Sequence, residues 1–91
     1  MGAAVRIQID PHTPERAEER GTNEAEIQEV INTGLPIPAK YGRMGRAKVF
    51  DFQQSRHGKY YAQKRVEVYF TAEVGAVTTV TVYVFFGRWG D

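Results

Sequence analysis

Ninety-one residues leave room for one modest core, and the absence of cysteine excludes disulfides, thiolate nucleophiles and soft metal sites. The net charge of +1 gives no overall pull toward nucleic acid. The longest apolar run, Val82–Phe86, falls far short of the roughly 18 residues of a membrane span. The N-terminus carries no basic-then-apolar leader, and Arg6 stands where a myristoylation signal needs Ser or Thr, so a cytoplasmic protein is expected.

Val5-Arg6-Ile7-Gln8-Ile9 alternates apolar and polar residues, the pattern of a strand with one buried face, and Asp10-Pro11 ends it. Thr13-Pro14 reads as a helix start, with Thr13 as cap and Pro14 in the first turn. This helix runs to about Arg20, with Gly21 as a left-handed stop and Ala17 as its main apolar contact. A second helix opens at Asn23, with Glu26 at the capping-box position. Its stripe is Ile27, Val30 and Ile31, and Gly34 and Pro36 end it.

Leu35–Gly45 is expected to be irregular. Strands are expected over Ala47–Gln53, Lys59–Thr71 and Val77–Phe86, separated by turns at Gln54–Gly58 and Ala72–Ala76. The expected fold is α+β: a short N-terminal strand and a two-helix hairpin packed on one face of a mainly antiparallel sheet of about four strands, in a single domain.

Charge is unevenly distributed. Residues 1–30 carry −4, residues 40–65 carry +7 and residues 66–91 carry −2. The basic block is either a footprint for phosphates, with Arg43, Arg46 and Lys48 as contacts, or a surface that docks on the acidic helices of the same molecule.

Strand alternation places Tyr60, Ala62, Lys64, Val66, Val68 and Phe70 on one side of the long strand. In the last strand Val80, Val82, Val84 and Phe86 form the apolar side, and Thr79, Thr81, Tyr83 and Phe85 the mixed one. Helices over the apolar sides leave Arg65, Tyr69, Thr81 and Tyr83 on an open face. Lys64 is the exception on the apolar side, unless it snorkels or a bulge turns it outward. An ordinary solvated sheet face has the same composition.

No metal-ligand spacing is present, since His12 and His57 lie in unrelated loops, and no cofactor motif appears. What remains suits metal-independent phosphodiester chemistry, which needs a base, an acid and cations for the phosphorane oxygens. His12 is a candidate base or acid, since an unperturbed imidazole changes charge near neutrality, and Arg16 and Arg20 share one helix face at i, i+4. A surface salt-bridge network and a structural loop histidine are the plain alternatives.

His12-Thr13-Pro14-Glu15-Arg16, Glu19-Arg20-Gly21, Asn23-Glu24-Ala25-Glu26-Ile27 and Val30-Ile31, with Tyr60-Tyr61-Ala62-Gln63-Lys64-Arg65-Val66 and Thr79-Val80-Thr81-Val82-Tyr83, resemble the family called domain of unknown function 4258. That family is grouped with RelE-like, barnase-like and colicin-like ribonuclease folds. The resemblance implies a RelE/barnase-like fold and a small toxin-like endoribonuclease with an antitoxin protein as partner. His12 and Arg20 then match its helical positions, and Lys64, Thr81 and Tyr83 its strand positions. RNA would lie over Arg43, Arg46, Lys48, Arg65 and Tyr69. A non-catalytic protein-interaction module and a simple nucleic-acid binder are the other expectations.

Overall fold

The computed structural model describes residues 6–9, 13–73 and 75–89. In chain order they form β1 (Arg6–Ile9), α1 (Thr13–Arg20), α2 (Glu24–Thr33), β2 (Leu35–Ile37), β3 (Met44–Arg56), β4 (Lys59–Glu73) and β5 (Ala76–Gly87). One sheet of order β1-β5-β4-β3-β2 contains all five strands. Only the β1–β5 pair is parallel, with Arg6 to Ile9 beside Ala76 to Thr79. No helix among the described residues is long and apolar enough to cross a membrane.

The sheet is built on a meander of three long strands whose Val and aromatic content suits a pleated surface. β3 continues to Arg56, and a two-residue turn follows, with His57 at φ 52° and Gly58 at φ 79°. Two central residues at positive φ match the right-handed twist of the flanking strands. β4 and β5 likewise extend past their expected ends, to Glu73 and Gly87.

The expected arrangement, a helical hairpin over about four strands as in RelE- and barnase-like folds, is overturned. β2 is a fifth strand, made from a segment expected to be irregular, and it pairs Leu35 with Ala47, Pro36 with Arg46 and Ile37 with Gly45. Three residues are too few to show a period, and a proline in their middle argues against a strand. At a sheet edge the missing N–H costs no ladder bond. The two helices pack separately on the sheet, α1 on β5 and α2 on β4 and β3. Among the described side chains of α1, Ala17 is the one buried apolar residue, which gives that stretch little with which to grip α2.

α2 begins as its sequence predicts. Asn23 is extended, with φ −150°, and its side chain accepts a 2.9 Å hydrogen bond from the Glu26 amide. The Glu26 carboxylate does not complete a capping box. It accepts instead from the Thr22 hydroxyl and the Lys64 ammonium, each at 2.7 Å. Gly21 stops α1 at φ 99°. Gly34 ends α2 for a different reason: its backbone is extended, and a side chain there would lie 2.9 Å from the Ala47 carbonyl oxygen.

The core lies between the helices and the sheet. Ile27, Val30, Val66 and Val68 are fully buried, with Ala17, Phe70, Val77 and Val82 around them. Each such aliphatic side chain contributes about 1.5–3 kcal/mol on leaving water. Two bulges modify the alternation. One falls in β3 between Asp51 and Gln54, with Gln53 at φ 49°. The other falls in β5: Tyr69 pairs with Thr81 but Phe70 pairs with Thr79, so Val80 is the extra residue. Below it the faces exchange. Thr79, expected on the mixed side, is buried under the helices, and its hydroxyl has no hydrogen-bond partner among the described residues. Val77 is buried with it.

Candidate nucleic-acid interface

The basic 40–65 block is largely engaged within the molecule. Arg46 Nη1 donates to the Ile31 carbonyl at 3.0 Å, and Lys48 Nζ donates to Glu29 Oε2 at 2.5 Å and Thr33 Oγ1 at 2.9 Å. Both cations therefore sit at the C-terminal end of α2, where helix carbonyls favour positive charge. Arg56 Nη2 donates to the Glu19 carbonyl at 2.7 Å. Lys64 Nζ donates to the Gly21 carbonyl at 2.8 Å and to Glu26 at 2.7 Å, with its side chain only 9% exposed. These four side chains tie the sheet to the helices.

The opposite face of the sheet is open. Because Lys64, Val66, Val68 and Phe70 are buried, the odd-numbered residues of β4 turn away from the helices. Register then defines three rows across the strands. Ile37, Gly45, Tyr69 and Thr81 form the first, Leu35, Ala47, Glu67 and Tyr83 the second, and Val49, Arg65 and Phe85 the third. Gly45 is required beneath the first row: a Cβ there would lie 3.1 Å from Tyr69 Cε1 and 2.9 Å from Ile37 Cγ1.

A charged relay runs down the middle of this face. Arg65 Nε donates to Glu67 Oε2 at 3.0 Å, and the Tyr69 hydroxyl donates to Glu67 Oε1 at 3.1 Å. Burial raises the Tyr69 phenol above its ordinary pKa of about 10, and the hydrogen bond to Glu67 and the charges of Glu67 and Tyr83 push the same way, partly opposed by Arg65. Tyr69 is therefore a neutral donor at physiological pH. Its ring meets Tyr83 edge-on at 5.9 Å. Tyr83 in turn lies nearly parallel to Phe85, with 6.5 Å between centroids and 28° between planes. Tyr83 is 44% exposed and Phe85 47%.

At the Tyr69 end of this face lies a cleft of about 320 Å³. Tyr69, Thr81 and Tyr83 form its floor, and Lys40, Tyr41 and Arg43 form its wall. The wall is a tight turn, closed by a 3.2 Å bond from the Arg43 amide to the Lys40 carbonyl, with Tyr41 at φ 60° and Gly42 at φ 70°. Neither Lys40 nor Arg43 makes an ion pair among the described residues.

The sequence-predicted site residues are thus divided. Tyr69, Thr81, Tyr83 and Arg43 come together at the cleft, and Arg65 adjoins it through Glu67. Lys64, Arg46 and Lys48 are on the helix side. Arg20 rises from α1 at the edge of β5, donates to the Val82 carbonyl and places its guanidinium 5.3 Å from the Tyr83 ring centroid. Arg16 is exposed on α1. His12, Val5, Asp10 and Pro11 lie outside the described residues, as does the side chain of the Thr13 cap. Sequence reasoning missed Lys40, Tyr41 and Glu67. Tyr-Gly between two cations was the available signal for the first two, and the odd-side position of Glu67 beside Arg65 for the third. Comparison of the chain with protein-family models, with curated proteins and with solved structures finds no match.

Proposed function

We propose that the open sheet face binds single-stranded RNA. The observation that carries this reading is the pair of half-exposed, nearly parallel rings of Tyr83 and Phe85 beside a cleft walled by Lys40 and Arg43, cations with no ion pair among the described residues. Unstacked bases have flat faces that rest on aromatic side chains, and their phosphates seek nearby cations. The hydroxyls of Thr81 and Tyr83 on the same surface supply partners for a ribose 2′-OH.

Fluorescence anisotropy with a labelled oligouridine, measured across a salt series, tests the reading. Two contacted phosphates give a slope of log K against log salt of about −1.4. Tyr83→Ala and Phe85→Ala each weaken binding by about 5- to 150-fold, the range of one lost base stack. Absence of binding at low salt, or a double variant that binds like the parent, overturns it.

One observation favours a second reading, metal-independent cleavage of the bound RNA: the Glu67 carboxylate lies opposite Tyr83 in the strand register, between Arg65 and a neutral Tyr69. An acid, a base and a cation side by side along one face of β4 are the parts that attack by a 2′-OH requires. Analysis of the same oligonucleotide for 2′,3′-cyclic phosphate ends decides between the two. Intact RNA at saturating protein removes cleavage and leaves binding.

A further inference from the structure

We infer that the Lys40–Arg43 turn is a nucleotide clamp, in which Tyr41 closes over a base resting on the Tyr69–Tyr83 floor while Lys40 and Arg43 hold its phosphates; this rests on the binding reading above. Tyr41 is 88% exposed. Among the described residues it makes no hydrogen bond, ring–ring or cation–ring contact. Its backbone is left-handed, at φ 60°, where a side chain is disfavoured and Gly or Asn is the usual occupant. No such contact among the described residues offsets that preference. Backbone strain of this kind is retained where the side chain serves a ligand.

The β3–β4 turn supplies the internal comparison. It holds His57 at φ 52° and Gly58 at φ 79°, and histidine enters the left-handed region more readily than tyrosine does. His57 does not line the cleft, whereas Tyr41 forms its wall opposite two other tyrosines. A cleft of about 320 Å³ is at the small end of ligand pockets, suited to one flat group. Aromatic side chains around the cleft with ammonium and guanidinium groups at its rim match a base with its phosphates, and the two like charges repel a cationic ligand.

The test uses the full chain, labelled oligouridine and three kinds of variant. Tyr41→Gly raises the thermal midpoint by a few degrees and weakens oligouridine binding about 10-fold with an unchanged salt slope, because a stack and not a charge is lost. Tyr41→Phe keeps the affinity. His57→Gly, the matched control, raises the midpoint without changing the affinity. Lys40→Ala combined with Arg43→Ala lowers the salt slope by about 1.4. If the parent protein binds RNA and Tyr41→Gly binds equally well, the clamp is overturned and the binding reading stands. A parent protein that binds no RNA overturns the binding reading itself. Displacement of oligouridine by an equal concentration of oligoglutamate identifies a site for polyanions in general and also overturns the clamp.

Discussion

Lys64 stands on the central strand with its charge turned toward the helices, a position that alternation alone makes anomalous. Its surroundings account for it. The ammonium joins the Gly21 carbonyl, where α1 stops, to the Glu26 carboxylate, where α2 starts, and Thr22 completes the group through Glu26. A single cation thus fixes the joint between two short helices that hardly touch each other. Removing it leaves the Gly21 carbonyl without this donor and the Glu26 carboxylate without its cation, the costly half of a broken, largely buried pair. Lys64→Ala is expected to lower stability by about 2–3 kcal/mol in chemical denaturation. Binding of oligouridine by the fraction that remains folded should be unaffected, because the side chain does not reach the open face. Loss of binding without loss of stability would instead place Lys64 in the interface.

At the scale of elements, the bulge in β5 decides which hydroxyls are available. Above it Thr81 faces the cleft, and below it Thr79 faces the core with an unpartnered Oγ1. A buried hydroxyl without a partner destabilises, and valine has nearly its shape. Thr79→Val is therefore expected to stabilise the protein by about 1 kcal/mol, read as a higher denaturation midpoint with an unchanged slope. A decrease would mean that the hydroxyl is satisfied. The bulge also marks the limit of what could be read from sequence. Alternation correctly buries Val66, Val68 and Phe70 and turns Tyr69 outward, because a side chain every second residue must choose a face. Asn23 and Gly21 declare the helix ends through side-chain oxygen and positive φ. An inserted residue such as Val80 or Gln53 leaves no trace in composition, and every assignment beyond it changes face. β2 was illegible for its brevity. The cleft wall was illegible because Lys40 and Arg43 meet Tyr69 only when the chain turns at Tyr41-Gly42 and pairs back on β3.

Across the whole molecule, the charge asymmetry in the sequence is mostly an instruction for assembly. Arg46, Lys48, Arg56 and Lys64 all reach back to the helical segment, so the acidic first third and the basic middle are two halves of one interface. What remains on the open face for a ligand is small and local, Lys40 and Arg43 at the cleft and, through Glu67, Arg65, while Lys59 lies over the Tyr61 ring at 5.6 Å. Arg20 has a further consequence. Among the described residues β1 covers β5 as far as Thr79, and the Val82 carbonyl beyond that point is taken by the Arg20 guanidinium. An uncovered strand edge is a template on which another chain can add its own strand, and a fixed charge at that edge blocks the addition. Arg20 at this position is therefore expected to oppose the addition of a further strand. Arg20→Ala should give concentration-dependent light scattering and thioflavin binding at protein concentrations where the parent stays monodisperse, and a variant that stays clear would assign that protection elsewhere.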